Sequence, residues 1–240
     1  MLPANVSVRS KRRRCVNCAT RAVLKCCAAS STINCKYVHK PSIVRAFLLR
    51  KSGNAARILF SPRPSFRSRC REKVKYLWFW GHQPAANNEI TASCFSQWWQ
   101  GSPFTYDGIT YATAEHWMMA GKARLFNDSK TLARILAAAT PAEAKKLGRQ
   151  VTNFDEQRWQ DCCFELVSEG NYHKFSQHSA LKTFLLNTQP RILVEASPVD
   201  KIWGIGLAKD HPHAGVPSHW KGKNLLGFAL MVVRDRLAEE

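Results

Sequence analysis

The sequence predicts an α+β fold: a single compact, helix-rich domain with a small β-sheet over residues 74–240, preceded by a disordered basic extension over residues 1–73. Three observations predict it. Charge divides the chain, because residues 1–73 hold 18 of its 36 Lys and Arg but only one of its 17 acids, Glu72. Short aromatic and β-branched runs are confined to a few places beyond residue 73. Between them lies a series of helical patterns, each opened by a capping residue. There are no internal repeats and no alternating βαβ series, so a dinucleotide-binding sheet is excluded.

The elements follow in order. Tyr76-Leu77-Trp78-Phe79-Trp80, bounded by Gly81, reads as a buried strand. Asp107-Gly108 between Phe104-Thr-Tyr106 and Ile109-Thr-Tyr111 is a hairpin signal. Thr113 caps a helix over about 114–126, with Ala114, Trp117, Met118, Gly121 and Leu125 on one stripe. Asp128 caps a second helix carrying Leu132, Ile135 and Leu136. Thr140-Pro141-Ala-Glu143 combines a cap, Pro at the first helical position and a capping-box Glu, starting a third helix that runs towards Gly148. Asp155 opens a fourth, with Trp159, Cys163, Leu166 and Val167 inward and Gly170 as its stop. A short helix spans about 179–187, and Arg191 to Ala196 reads as a strand. A Gly- and Pro-rich irregular stretch follows. Asn224 then caps a last helix with Leu226, Ala229, Leu230, Val233 and Leu237 inward.

Residues 74–240 are nearly neutral, with 18 bases against 16 acids, so the formal net charge of +19 belongs to the extension. Reading the whole chain as a nucleic-acid binder would average two unlike parts. For residues 1–73 four readings stay open: a disordered basic arm, an Arg-rich transit peptide, a nucleic-acid or nuclear-import patch, and a stretch upstream of the true start codon. The first and last are favoured. Cys15-x-x-Cys18 with Cys26, Cys27 and Cys35 is spaced too tightly for the usual zinc fingers and ribbons. Cys94, Cys162 and Cys163 are expected as reduced thiols in a cytoplasmic protein. No apolar run approaches the roughly 18 residues that span a bilayer, so no membrane partner is expected.

Glu115 and Lys122 are seven residues apart on the helix opened by Thr113. Seven steps of about 100° bring them to one face about 10 Å apart, spaced to hold two ends of a polar ligand or simply to line a solvated surface. Val194-Glu195-Ala puts a carboxylate at the end of an apolar strand. Asp200 precedes Trp203-Gly204-Ile205-Gly206, a loop whose glycines let backbone N–H groups approach a ligand. Asn224 marks a helix N-terminus, a natural place for a phosphate. Each has a plain structural alternative: a strand end, a turn, a core tryptophan, a cap.

Together these motifs resemble the YbiA/NADAR family of N-glycosidases. The resemblance rests on Phe95-Ser96-Gln97-Trp98, Asp107-Gly108, Tyr111 to Met119, Lys122-Ala123, Leu147-Gly148-Arg149 and Trp159. It continues through Lys174-Phe175, Leu193 to Ala196, Asp200 to Gly206 and Asn224 to Gly227. It covers essentially all of 74–240, in order, and none of 1–73. It implies a compact α+β domain that hydrolyses the N-glycosidic bond of ribosylamino-pyrimidine 5′-phosphates, early riboflavin intermediates, releasing ribose 5-phosphate. Other members bind or remove ADP-ribose, including from guanine bases. The family's polar cluster carries over onto Glu115, Lys122, Trp159, Lys174, Glu195, Asp200 and Asn224. Where some relatives have an acid near the second glycine of the Trp-Gly stretch, this chain has Ile205.

Cleaving an N-glycosidic bond builds positive charge on the sugar C1 and ring oxygen. The expected catalytic residues are Glu115, as cation stabiliser or water-orienting carboxylate, with Asp200 or Glu195 as acid/base partner. Lys122 and Lys174 are expected on the phosphate or sugar hydroxyls, and Trp159 or Trp203 on the base, with Gly204 and Asn224 completing the binding site. No cofactor and no metal is expected. The partner is a small ribose-phosphate or ADP-ribose ligand, and the basic extension is a candidate for nucleic-acid contact.

Overall fold

The computed structural model describes residues 74–87 and 89–240. The readings made for residues 1–73, including the zinc spacing and the basic arm, lie outside the described residues. The elements are β1 (Tyr76–Phe79), β2 (Phe104–Tyr106), β3 (Ile109–Tyr111), α1 (Ala114–Leu125), α2 (Ser129–Leu136) and α3 (Pro141–Gly148), followed by α4 (Glu156–Gln177), α5 (Ser179–Leu186), β4 (Ile192–Glu195) and α6 (Leu225–Ala238). The fold is α+β and helix-rich, as expected. The strands form two separate two-stranded ladders. In one, β1 runs parallel to β4 with Phe79 opposite Glu195. In the other, β2 and β3 make the expected hairpin, turning on Asp107 (φ 50°) and Gly108 (φ 76°). Trp80 falls outside β1 and is exposed.

The core lies where α1 is enclosed. Helices α2 and α3 cover one side of it and α4 another, while α6 packs on both α4 and β4. Every residue from Ala114 to Ala120 is consequently buried, so the first half of α1 has no solvated face. Local chemistry sets the starts. Thr113, Asp128, Thr140 and Asp155 each accept the backbone N–H three residues on, as the sequence predicts.

Two further expectations fail, each for a tertiary reason. Helix α4 does not stop at Gly170 but continues to Gln177. Gly170 is where α4 crosses α1, and a Cβ there would overlap the Trp117 indole, whose Nε1 donates to Leu166 O at 2.8 Å. The glycine serves close approach rather than termination. Asn224 does not cap α6 through its side chain. It sits in the left-handed region (φ 56°, ψ 35°), fully buried, with its amide turned to β4. Its Nδ2 donates to Leu193 O at 3.0 Å, and its Oδ1 accepts from the Glu195 N–H at 2.9 Å. The amide therefore fastens the start of α6 to the strand end that carries Glu195.

Candidate active site

Three carboxyl groups from separate parts of the chain meet at one cavity of about 260 Å³: Glu115 from the first turn of α1, Glu195 from the end of β4 and Asp200 from the loop beyond it. Lys122 and Trp159 line it too, as does Trp203. Glu115 is placed by backbone, its N–H donating to Gln97 O at 2.9 Å. Asp200 Oδ1 accepts the N–H groups of Ile202 and Trp203, both at 2.8 Å, which fixes the turn that presents Trp203. Gly204 does not line the cavity. It is the close-packed point of the loop, where a Cβ would come within 3.0 Å of both Glu195 O and Asp200 O. Its missing side chain lets the segments carrying the two acids approach.

The electrostatics of the three acids are coupled. Burial pushes the Glu115 carboxyl up to about 7; Lys145 and a hydrogen bond from the Trp98 side chain oppose the rise, while the charge of Asp200 adds to it. Burial raises Glu195 to about 8, helped by Asp200 and Glu115 and opposed by Lys145. Oε1 of Glu115 and Oε2 of Glu195 are sealed from solvent and have no hydrogen-bond partner among the described residues. Glu195 as a residue is only half-buried, so it is this oxygen, not the whole side chain, that is desolvated. Native proteins seldom leave such acceptors unpaired, and their clustering here points to a ligand.

The family follows from comparison with known proteins. Residues 78–238 match the family described as NADAR domain. The chain belongs to the NADAR family. It is 40% identical over 168 residues to N-glycosidase R617 of Acanthamoeba polyphaga mimivirus, covering 68% of this chain and 97% of that protein. It is 34% identical over 148 residues to N-glycosidase YbiA of Escherichia coli (strain K12), covering 62% of this chain and 81% of that protein. The NMR structure of E. coli YbiA superposes with a TM-score of 0.54 at 28% identity, covering 70% of this chain and 90% of that one.

Within this NADAR domain, two of the residues carried over from the family have other work than lining the cavity. Lys174 is fully buried in α4, and its Nζ donates to Cys94 O at 2.6 Å and Ser96 O at 3.1 Å. One turn earlier, Asn171 Nδ2 donates to Gln97 Oε1 and to Val167 O, both at 2.9 Å. Helix α4 thereby holds the segment whose Ser96, Gln97 and Trp98 form a wall of the cavity. Lys174 positions that wall, and Asn224 positions Glu195. Lys122 is at the cavity, with Nζ 4.0 Å from the centroid of Phe154 and 5.8 Å from that of Trp159. Burial lowers its proton affinity.

The sequence reading missed Gln97, Trp98, Lys145 and Arg149 as site residues. Gln97, Trp98 and Arg149 belong to the motifs that carry the resemblance, with no role assigned to them. Lys145 and Arg149, four residues apart on a helix with a secure start, share a face by spacing alone. That signal was available. Nothing local tells that this face turns inward. Among the described residues no group of three His, Cys, Asp or Glu side chains is arranged to hold a metal ion, and no helix is long and apolar enough to cross a membrane.

Proposed function

We propose that the chain hydrolyses the N-glycosidic bond of ribosylamino-pyrimidine 5′-phosphates, releasing ribose 5-phosphate. One observation carries the reading: two glutamates share a cavity, each with a desolvated and unpartnered oxygen, beside a third acid and three basic side chains. Curated relatives named N-glycosidases make the chain a hydrolase of N-glycosyl bonds. In the proposed reaction the C1–N bond breaks and its electron pair leaves with the nitrogen. Glu195, the group that holds its proton to the higher pH, donates it to that nitrogen. Glu115 stabilises the positive charge on C1 and the ring oxygen, then takes a proton from the water whose oxygen bonds C1. Asp200 keeps its two neighbours from ionising together, as close like charges do. Trp159 or Trp203 stacks on the base, and the basic side chains hold the phosphate.

The cavity volume supports the smaller of two substrate classes. At about 260 Å³ it lies at or below the roughly 300–1,000 Å³ common for small-molecule sites, which suits a ribose phosphate with one ring better than ADP-ribose on a nucleobase. Incubation with each substrate, followed by quantification of free ribose 5-phosphate and free ADP-ribose, tests the reading. Release of ribose 5-phosphate is expected. Release of ADP-ribose alone selects the second class, and binding of either without product makes the domain a binding module.

A further inference from the structure

Three basic side chains line the cavity, and their surroundings differ. Lys122 rests against Phe154 and Trp159. Arg149 and Lys145 project from the end of α3, one turn apart. Lys145 is half-buried, with Nζ 5.6 Å from the centroid of Trp98, the residue whose side chain bonds Glu115. No carboxylate among the described residues lies within ion-pairing distance of Lys145. An ammonium in a polar cavity, placed over an aromatic face and lacking a counter-ion, fits a ligand anion.

Lys145 is also the cation whose field reaches both catalytic candidates. Its charge draws down the proton affinity of Glu115 and of Glu195, whereas Arg149 acts on Glu115. Resting on the hydrolase reading above, we propose that Lys145 couples substrate binding to catalysis: it takes the phosphate of a phosphorylated N-glycoside and by doing so moves the doubly ionised glutamate pair to the singly protonated state, with Glu195 ready to donate and Glu115 still a carboxylate. The physics has one sign. A bound phosphate dianion cancels the ammonium's field and adds negative charge beside the carboxyl groups. The first proton onto the doubly ionised pair, taken by Glu195, is then favoured. The other charged groups facing this pair are Asp200 from the loop after β4, Lys122 from α1 and Arg149 beyond α3. None of them contributes a pull shared by both glutamates and released by an anion. An unphosphorylated nucleoside leaves Lys145 unpaired and Glu195 less protonated, so the site favours anionic substrates in turnover as well as in affinity.

Calorimetric titration of the full chain with ribose 5-phosphate, at about pH 8 in buffers of different ionisation enthalpy, tests this. At that pH a phosphate monoester, with its second pKa near 6, has almost no proton left to exchange. Net proton uptake on binding is expected, together with none for ribose. Lys145→Arg should keep the uptake. Lys145→Met should bind about 10- to 100-fold more weakly, the loss of one charge-assisted contact, and take up fewer protons because its acids already hold them. Heats that do not depend on buffer in the unmodified protein overturn the proposal without recourse to any variant. So does a Lys145→Met protein with undiminished uptake, and so does failure of ribose 5-phosphate to bind. Turnover of a phosphorylated N-glycoside without proton uptake sinks the coupling alone. Uptake without turnover of any N-glycoside sinks the hydrolase reading alone.

Discussion

Replacing Glu115 with Gln should remove activity and make the protein more stable. The carboxyl is 2% exposed and its proton affinity rises from an ordinary 4.5 to about 7. At about 1.4 kcal/mol per pH unit, ionising it in the folded state costs about 3 kcal/mol relative to the unfolded chain. That value already includes the favourable pull of Lys145. The sign is fixed. A buried acid with a raised folded value destabilises the fold above that value, and the cost disappears as pH falls towards the unfolded value. Glutamine has the shape of the neutral acid and cannot ionise. Urea denaturation should therefore show Glu115→Gln more stable by about 3 kcal/mol near pH 8 and by only about 1 kcal/mol near pH 5. Turnover should fall by about 10²- to 10⁴-fold, the usual contribution of acid–base groups. A variant no more stable than the parent near pH 8, or one with the same gain at both pH values, would refute the claim that this glutamate is held at an energetic cost for chemistry.

The pH profile of kcat/KM, which reports the free enzyme, should be a narrow bell with limbs near 7 and 8, one glutamate ionised and the other protonated; these are values of the coupled pair. Glu195→Gln should remove the alkaline limb, as rate measurements between about pH 5 and 10 would show. Gly170→Ala, usually stabilising in a helix, should instead destabilise by about 1–3 kcal/mol in urea melts because its methyl meets Trp117. Asn224→Ala should lower stability by about 1–3 kcal/mol by unpairing Leu193 O and the Glu195 N–H, and should lower kcat while leaving KM for a phosphorylated substrate within about twofold. A large rise in KM would mean that Asn224 touches the ligand after all.

Helix starts were legible because Thr113, Asp128, Thr140 and Asp155 act on backbone three residues away, within reach of local pattern. The hairpin was legible because Asp107-Gly108 supplies the turn geometry itself. Gly170 misled because a glycine that ends a helix and one that admits a neighbouring indole look alike in sequence. Glu195 stands out as a carboxylate ending an apolar strand, Glu115 by its spacing from Lys122, and Asp200 by its place before a Gly-rich loop. The wall of Ser96, Gln97 and Trp98 does not, because it is held at the cavity by bonds to Lys174 and Asn171 more than 70 positions away. No periodicity encodes such a contact. Asn224 marks a helix start in the sequence, but nothing local shows that its amide bonds the strand.

The most direct measurement is the stoichiometry of products from a ribosylamino-pyrimidine 5′-phosphate, with free ribose 5-phosphate and free base quantified together for the parent, Glu115→Gln and Glu195→Gln proteins. One sugar phosphate per base from the parent, and near-background release from folded samples of both variants, is the predicted result. Undiminished release from either variant would contradict a cleavage carried by this glutamate pair.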